Sequence, residues 1–276
     1  MIKKILLGLL ALFLIFLVYV AVTVGPDLKA FFTYSRVDLN EDLTVLLGYG
    51  GNTVVWSDSA AGEILIVDTK IFGGAGKLKD HVDRIAADPD IVIVNTHLHP
   101  DHTGGNTRFP GATILAGSTG ENVPHEGGRI IRIRPGEQHK VAVGSDTAFV
   151  RNVGSGHAAE NLVVYIPKHG LLIAGDLLFH RIHPALFDKE GTDIDGWIQA
   201  LDTLAEWPAK TVVPGHGAIA GPDAILEAKE YFVSIRDAIG DPEKLKALEK
   251  RYADYKNVPL STSFQNTVKF MRKNAD

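Results

Sequence analysis

The sequence predicts an α/β fold in which two packed sheets are covered by helices, behind one apolar N-terminal helix. Short apolar runs separated by Gly, Pro and polar turns recur along the chain, with 28 Gly and 13 Pro in 276 residues. That punctuation suits many short strands better than a helical bundle. The strands fall into two halves with a few helices among and after them, the pattern of two sheets sharing one core. A hydrophobic content of 45% over this length is ample for such a core.

The first element is the run Ile5 to Val24, which is apolar and uncharged after Lys3 and Lys4. Its roughly 20 residues match the ~20 that cross a bilayer core as a helix, and it lacks the polar face of a core helix. Cleavage is disfavoured, because a cut after Ala21 has Tyr19 at position −3 and a cut after Gly25 is followed by Pro26. Residues 1–25 are therefore expected to form a transmembrane anchor or uncleaved signal. The lysines before the span place the N-terminus in the cytoplasm and the rest of the chain on the extracytoplasmic side of a bacterial cytoplasmic membrane.

The strands follow. Leu43–Tyr49, Thr53–Trp56 and Glu63–Asp68 are β-rich runs divided by polar turns such as Gly50-Gly51-Asn52. A helical stretch over Lys77–Ala87 leads to the apolar strand Ile91–Asn95, and short strands are expected at Thr113–Ala116, Ile130–Arg134 and Thr147–Asn152. Leu162–Ile166 and Leu171–Gly175 read as a hairpin around Pro167-Lys168-His169-Gly170. A helix (Asp195–Glu206), a strand (Thr211–Val213) and a helix (Ala224–Ala238) complete the main domain, expected to span 26–240. Two amphipathic stretches, Pro242–Tyr255 and Ser263–Lys273, look like a helical extension, 241–276, packed on that domain.

Composition excludes several functions. The net charge is −5 with both signs mixed, and no basic stripe of a nucleic-acid binder is present. Cysteine is absent, so a disulfide framework, a thiolate metal site and a catalytic thiol are all ruled out. Any metal must be held by His and carboxylate.

The sequence offers such a set. Thr96-His97-Leu98-His99-Pro100-Asp101-His102-Thr103-Gly104-Gly105 follows an apolar strand. Alternate residues of an extended segment point the same way, so His97 and His99 can share a target. Pro100 fixes a turn after which Asp101 and His102 follow. His157, Asp176 and His216 each follow a further apolar strand and sit among glycines, which let backbone approach a ligand closely. Five imidazoles and two carboxylates at strand ends suit two metals with nitrogen and oxygen ligands.

The segments THLHPDHTGG, GSGHAAENLVVYIPKHGLLIAGD and VVPGHG resemble, in order and spacing, the metal motifs of the metallo-β-lactamase-fold hydrolases. The resemblance implies a four-layer αββα sandwich with the metals at one edge. It assigns His97, His99 and His157 to a first ion, Asp101, His102 and His216 to a second, and Asp176 to a bridge. Zinc is the expected metal, with iron or manganese suited to the same donors. Two such ions lower the pKa of a shared water from 15.7 towards ~7, giving hydroxide at neutral pH. Asp101 is the expected catalytic carboxylate, orienting the nucleophile or carrying a proton. Asp68 matches a supporting aspartate of the family or serves a plain turn.

Departures narrow the branch. Class B1 β-lactamases resemble the His157 segment, yet they use Cys where Asp176 stands and a nearby Lys where Leu177, Leu178, Phe179 and His180 follow. Asn161 is expected to be a structural turn residue. Thioesterases of the glyoxalase II type share the Asp bridge and add basic and aromatic residues in C-terminal helices; Lys250, Arg251, Tyr252 and Tyr255 are instead expected to form an ordinary helix surface. His180 and His183 are candidate substrate-mouth residues, whereas His81, His125, His139 and His169 are expected at the surface. Trp56, Trp197 and Trp207 are expected to pack in the core or at a sheet edge. The expected function is hydrolysis of a small ester, thioester, lactone or amide substrate. The rivals are a β-lactamase, a non-catalytic envelope protein that keeps the metal site, and an iron oxidoreductase. Oligomeric state is not encoded in any motif.

Overall fold

The computed structural model describes residues 33–119, 122–257 and 262–274. The expected membrane anchor lies outside them, and among the described residues no helix is long and apolar enough to cross a membrane. Seven strands form the first sheet in chain order: β1 (Ser35–Asp38), β2 (Leu43–Leu47), β3 (Thr53–Asp58), β4 (Glu63–Val67), β5 (Asp90–Val94), β6 (Thr113–Gly117) and β7 (Arg129–Ile133). Pairing is antiparallel from β1 to β4 and parallel from β4 to β7. The second sheet holds β8 (Gln138–Val143), β9 (Asp146–Asn152), β10 (Leu162–Ile166), β11 (Leu171–His180) and β12 (Thr211–Gly217). It is antiparallel except for the parallel pair β11–β12.

Among the described residues, six α-helices accompany the sheets: α1 (Phe72–Val82), α2 (Pro100–Thr103), α3 (Ile194–Ala205), α4 (Asp223–Ala238), α5 (Pro242–Arg251) and α6 (Phe264–Lys273). Side-chain alternation along the strands sorts them into layers. On β4, Leu65 and Val67 enter the core between the sheets with Val164 and Ile173, whereas Ile64 and Ile66 face Leu78 and Val82 of α1. On β10, Val163 and Tyr165 face the other way, into a cluster with Trp197, Leu201, Phe232 and Val268 from α3, α4 and α6. The result is helix, sheet, sheet, helix. Leu245 of α5 and Met271 of α6 are buried in the same cluster as α3 and α4.

Several elements differ from expectation. The first helix starts at Phe72 instead of Lys77, because Gly73, Gly74 and Gly76 are poor helix formers that lowered its local signal. Close packing is the compensation, since a Cβ on Gly74 would lie 2.7 Å from that of Tyr49. Strands β11 and β12 run past their expected ends at Gly175 and Val213, through two register shifts in their pairing. Strands β1 and β8 were not expected at all. Trp56 and Trp197 are fully buried, as their size suggests, but His81 is also buried, at 6% exposure, on the inner side of α1.

Candidate metal centre

The site gathers where the loops after β5 and β9 meet the strands β11 and β12. Beyond β5 the chain stays extended through His99, whose backbone (φ −67, ψ 148) precedes the short helix α2. Pro100 occupies the first helical position, where its missing N–H costs nothing. Asp101 and His102 lie on that single turn. His157 stands between β9 and β10, Asp176 lies within β11 just after the left-handed Gly175, and His216 lies within β12. Glycine is required at 215, because a Cβ there would come within 1.9 Å of Asp176 Oδ1.

Seven side chains form two groups. His97, His99, His157 and Asp176 bring one donor atom each within 4.8 Å of one another, and so do Asp101, His102 and His216. The structure thus brings together the residues that the sequence resemblance named. Asp176 faces both groups: Oδ2 is 3.3 Å from His157 Nε2, 3.9 Å from His97 Nε2 and 3.4 Å from His216 Nε2, and Oδ1 is 3.1 Å from His102 Nε2. Asp101 Oδ2 lies 3.3 Å from His216 Nε2 and 3.7 Å from His102 Nε2. A tetrahedral zinc ion with bonds of about 2.0–2.1 Å sets its ligands about 3.3–3.4 Å apart. The spacings scatter around that edge length.

Unmet hydrogen-bonding capacity supports the fit. His97 Nε2, His102 Nε2 and Asp176 Oδ1 are buried and make no hydrogen bond, although such atoms are costly to leave unpaired. The opposite ring nitrogens are already engaged: His102 Nδ1 with Asp68 Oδ2 at 2.8 Å, His157 Nδ1 with the Ala185 carbonyl at 3.1 Å and His97 Nδ1 with Thr96 Oγ1 at 3.1 Å. His99 turns Nδ1 inward, 2.9 Å from His157 Nε2. Holding one nitrogen so that the other faces the centre is how proteins orient imidazole ligands. The residues present fit a pair of metal ions.

Electrostatics point the same way. Burial opposes charge on His102, yet Asp176, Asp68 and Asp101 outweigh it and hold its pKa well above the usual value. Burial also opposes charge on His216, and Asp176 and Asp101 hold its pKa up to about 9. His97 and His157 go the other way, burial pushing His97 well down and His157 to about 3. Asp176 is held well below the carboxylate range because His216, His102 and His157 overcome the burial penalty.

Asp68 resolves towards support. It is 1% exposed, has a left-handed φ of 62°, and accepts from Thr96 N and Thr96 Oγ1, both at 2.8 Å, besides engaging His102. Asn161 is a turn residue, donating to the Gly154 and Ala158 carbonyls. The two candidate mouth histidines part company. His180 caps β11, meets the Ala218 carbonyl at 2.8 Å, and lines a narrow cleft with Phe179, Trp197, Tyr231 and Tyr255. His183 does not belong to a mouth. The chain turns at left-handed Arg181, His183 N donates to the Lys256 carbonyl, and its ring is buried against Tyr231, Tyr255 and Phe264. Tyr252 is likewise buried and not on a helix surface.

Other neighbours gave no signal in the sequence. Phe187 packs edge-on to His99 and His157. Glu190 Oε2 lies 2.6 Å from His99 Nε2, within ion-pair range but out of line for a hydrogen bond. Phe179 stacks on His216, with ring centroids 5.2 Å apart. Lys70 is fully buried beside the site, and burial pushes its pKa down to about 7 against the pull of Asp68 and Asp101.

Fold and donors together define a two-sheet sandwich with two adjoining His/Asp donor groups at one edge. The family model described as the Metallo-beta-lactamase superfamily matches residues 49–216, and the chain belongs to that superfamily. It is similar to the metallo-beta-lactamase type 2 of Bacteroides fragilis, 34% identical over 80 residues, covering 28% of this chain and 32% of that protein. It is also similar to the hydroxyacylglutathione hydrolase of Synechococcus sp. (strain JA-3-3Ab), 33% identical over 132 residues, covering 45% and 47%. The chain thus spans from about a third to about half of the length of these curated relatives. A metallo-beta-lactamase from Pontibacter korlensis shares the fold, with a TM-score of 0.62 at 20% identity over 73% of this chain and 99% of that one.

Proposed function

We propose that this chain is a dinuclear-metal hydrolase of an ester, thioester, lactone or amide, tethered by residues 1–25 to the outer face of a bacterial cytoplasmic membrane. The observation that carries the reading is the pair of donor groups meeting at Asp176, with buried nitrogens left unpaired towards their centre. Two bound ions, zinc by preference and iron or manganese by donor type, would supply Lewis acidity and a water ionisable near neutrality.

The chain's own residues do the rest. The Asp101 carboxylate is partly open to solvent, and His102 and His216 overcome its burial to keep it ionised well below neutrality. It accepts a hydrogen bond from the attacking water and orients it. Phe187 gives the site an apolar wall beside His99, and His180 offers a polar contact on the cleft rim. Similarity to hydroxyacylglutathione hydrolases, together with aspartate at 176, favours a thioester among the candidate substrates.

A second reading, β-lactam hydrolysis, is favoured by the similarity to the Bacteroides fragilis enzyme. Aspartate at 176 and the absence of lysine from 177–180 weigh against it. The full chain in detergent, loaded with zinc, should be assayed on thioesters, aryl esters, lactones, phosphodiesters and nitrocefin beside a His99→Ala control. Turnover of a thioester or ester well above nitrocefin, lost in the control, is the expected result. Two bound ions with no turnover of any substrate would leave the non-catalytic envelope protein. Fractionation tests the tether: the protein should pellet with membranes, be released by detergent, and be cut by protease added to spheroplasts.

A further inference from the structure

Lys70 has no part in the chemistry above, yet it is 0% exposed in a residue class that almost never is. Its Nζ donates to the carbonyls of Gly48, at 2.6 Å, and Gly51, at 2.9 Å. Those carbonyls belong to a turn in which Gly48, Tyr49 and Gly50 have successive φ values of 76°, 58° and 90°. A left-handed tyrosine is uncommon and persists only where the surroundings hold it.

The turn is a strut between two ligand-bearing segments. On one side Gly51 N donates to the Asp101 carbonyl, and a Cβ on Gly51 would meet the His102 ring at 2.3 Å. On the other, Asn52 N donates to the Gly215 carbonyl, while Asn52 Nδ2 donates to Pro214 and Gly217, each at 2.9 Å. Asn52 Oδ1 closes the turn by accepting from Gly48 N. Asp101 and His102 sit on α2 and His216 on β12, so the spacing of these three donors depends on what joins their elements. The first group is fixed by other contacts, through Thr96 and the Ala185 carbonyl.

We propose that Lys70 is a positioning residue: it clamps the Gly48–Asn52 strut and thereby sets the separation of Asp101 and His102 from His216, the donors of the second ion. The proposal rests on the reading of a two-ion site but not on any activity. Lysine suits the role because one flexible donor group can serve two converging carbonyls at once.

The test is stepwise metal binding to the full chain in detergent, stripped of metal. Cobalt titration followed by its visible absorption gives stoichiometry, and zinc competition against a chromophoric chelator gives the affinity of each equivalent. The wild type should take up two equivalents. Lys70→Met should keep the first at wild-type affinity and weaken the second by about 10- to 100-fold, the usual effect of removing a group that supports a ligand. Asn52→Ser loosens the strut from its other end and should do the same, so it decides the matter if Lys70→Met does not fold. Unchanged second-site affinity in the folded variants, equal weakening of both equivalents, or a wild type that binds fewer than two ions each overturns the proposal. A wild type that binds two ions but hydrolyses nothing defeats the proposed function and leaves this inference standing.

Discussion

Asp68 shows how much of the centre depends on a side chain outside the ligand set. It is left-handed and buried, and its carboxylate bonds Thr96 twice and His102 once. By holding His102 Nδ1 it fixes which nitrogen faces the other donors. Asp68→Asn keeps the shape but weakens the hold on the Nδ1 proton. It should cost the second ion about 10- to 100-fold in affinity, read by chelator competition, with the folded state intact by circular dichroism. An unchanged affinity would return Asp68 to a plain turn role. The seven candidate donors that meet in the structure were legible in the sequence, because four stand within one short segment and the others follow apolar strands beside glycines. The direction of His183 was not legible. It depends on the left-handed turn at Arg181 and on the register shifts of β11, which set the face of each later side chain.

At the scale of elements, the C-terminal helices are bound to the sandwich by an aromatic cluster. Tyr231 of α4 stacks on Tyr255 and meets Tyr252 and Phe264, and its hydroxyl lies 2.9 Å from His183 Nδ1. Burial lowers the His183 pKa from 6.5 to about 4. Its neutral form therefore contributes stability that is intact above 6.5 and drains as pH falls towards 4, because the unfolded chain takes up the proton first. Melting temperatures of the metal-stripped protein between pH 7 and 4 should fall less steeply in His183→Phe than in the wild type. Parallel curves would show that His183 does not titrate on unfolding. Two strands escaped the sequence reading for physical reasons. β1 is an edge strand with three of its four residues exposed, and the first half of β8, Gln138-His139-Lys140, carries no apolar alternation. The glycines of α1 hid its start, since packing against Tyr49 and not propensity holds that turn.

For the whole molecule, the decisive feature is that the candidate donors come from both sheets. Each ion would take two histidines or an Asp–His pair from the first sheet's loop and one histidine from the second sheet, with Asp176 between. Ions bound this way stabilise the folded chain by mass action. At a free zinc concentration 100 times the dissociation constant the gain is about 2.7 kcal/mol, or about 5–10 °C in melting temperature for a chain of this size. Scans with zinc and with a chelator should differ by that order, and coincident scans would mean that no ion is held by the folded state. The sandwich class was legible because strands clustered in two halves. Strand order was not, since apolar runs such as Ile91–Val94 declare burial without naming their partners.

The link between β7 and β8, the tight turn Arg134–Glu137, is also the boundary between the two contributions. Severed there, one fragment would carry His97, His99, Asp101 and His102, and the other His157, Asp176 and His216. Neither piece alone owns a whole coordination sphere. Complementation of the two halves, already favoured by the apolar core that Leu65 and Val67 share with Val164 and Ile173, would therefore be strengthened by zinc and weakened by chelation.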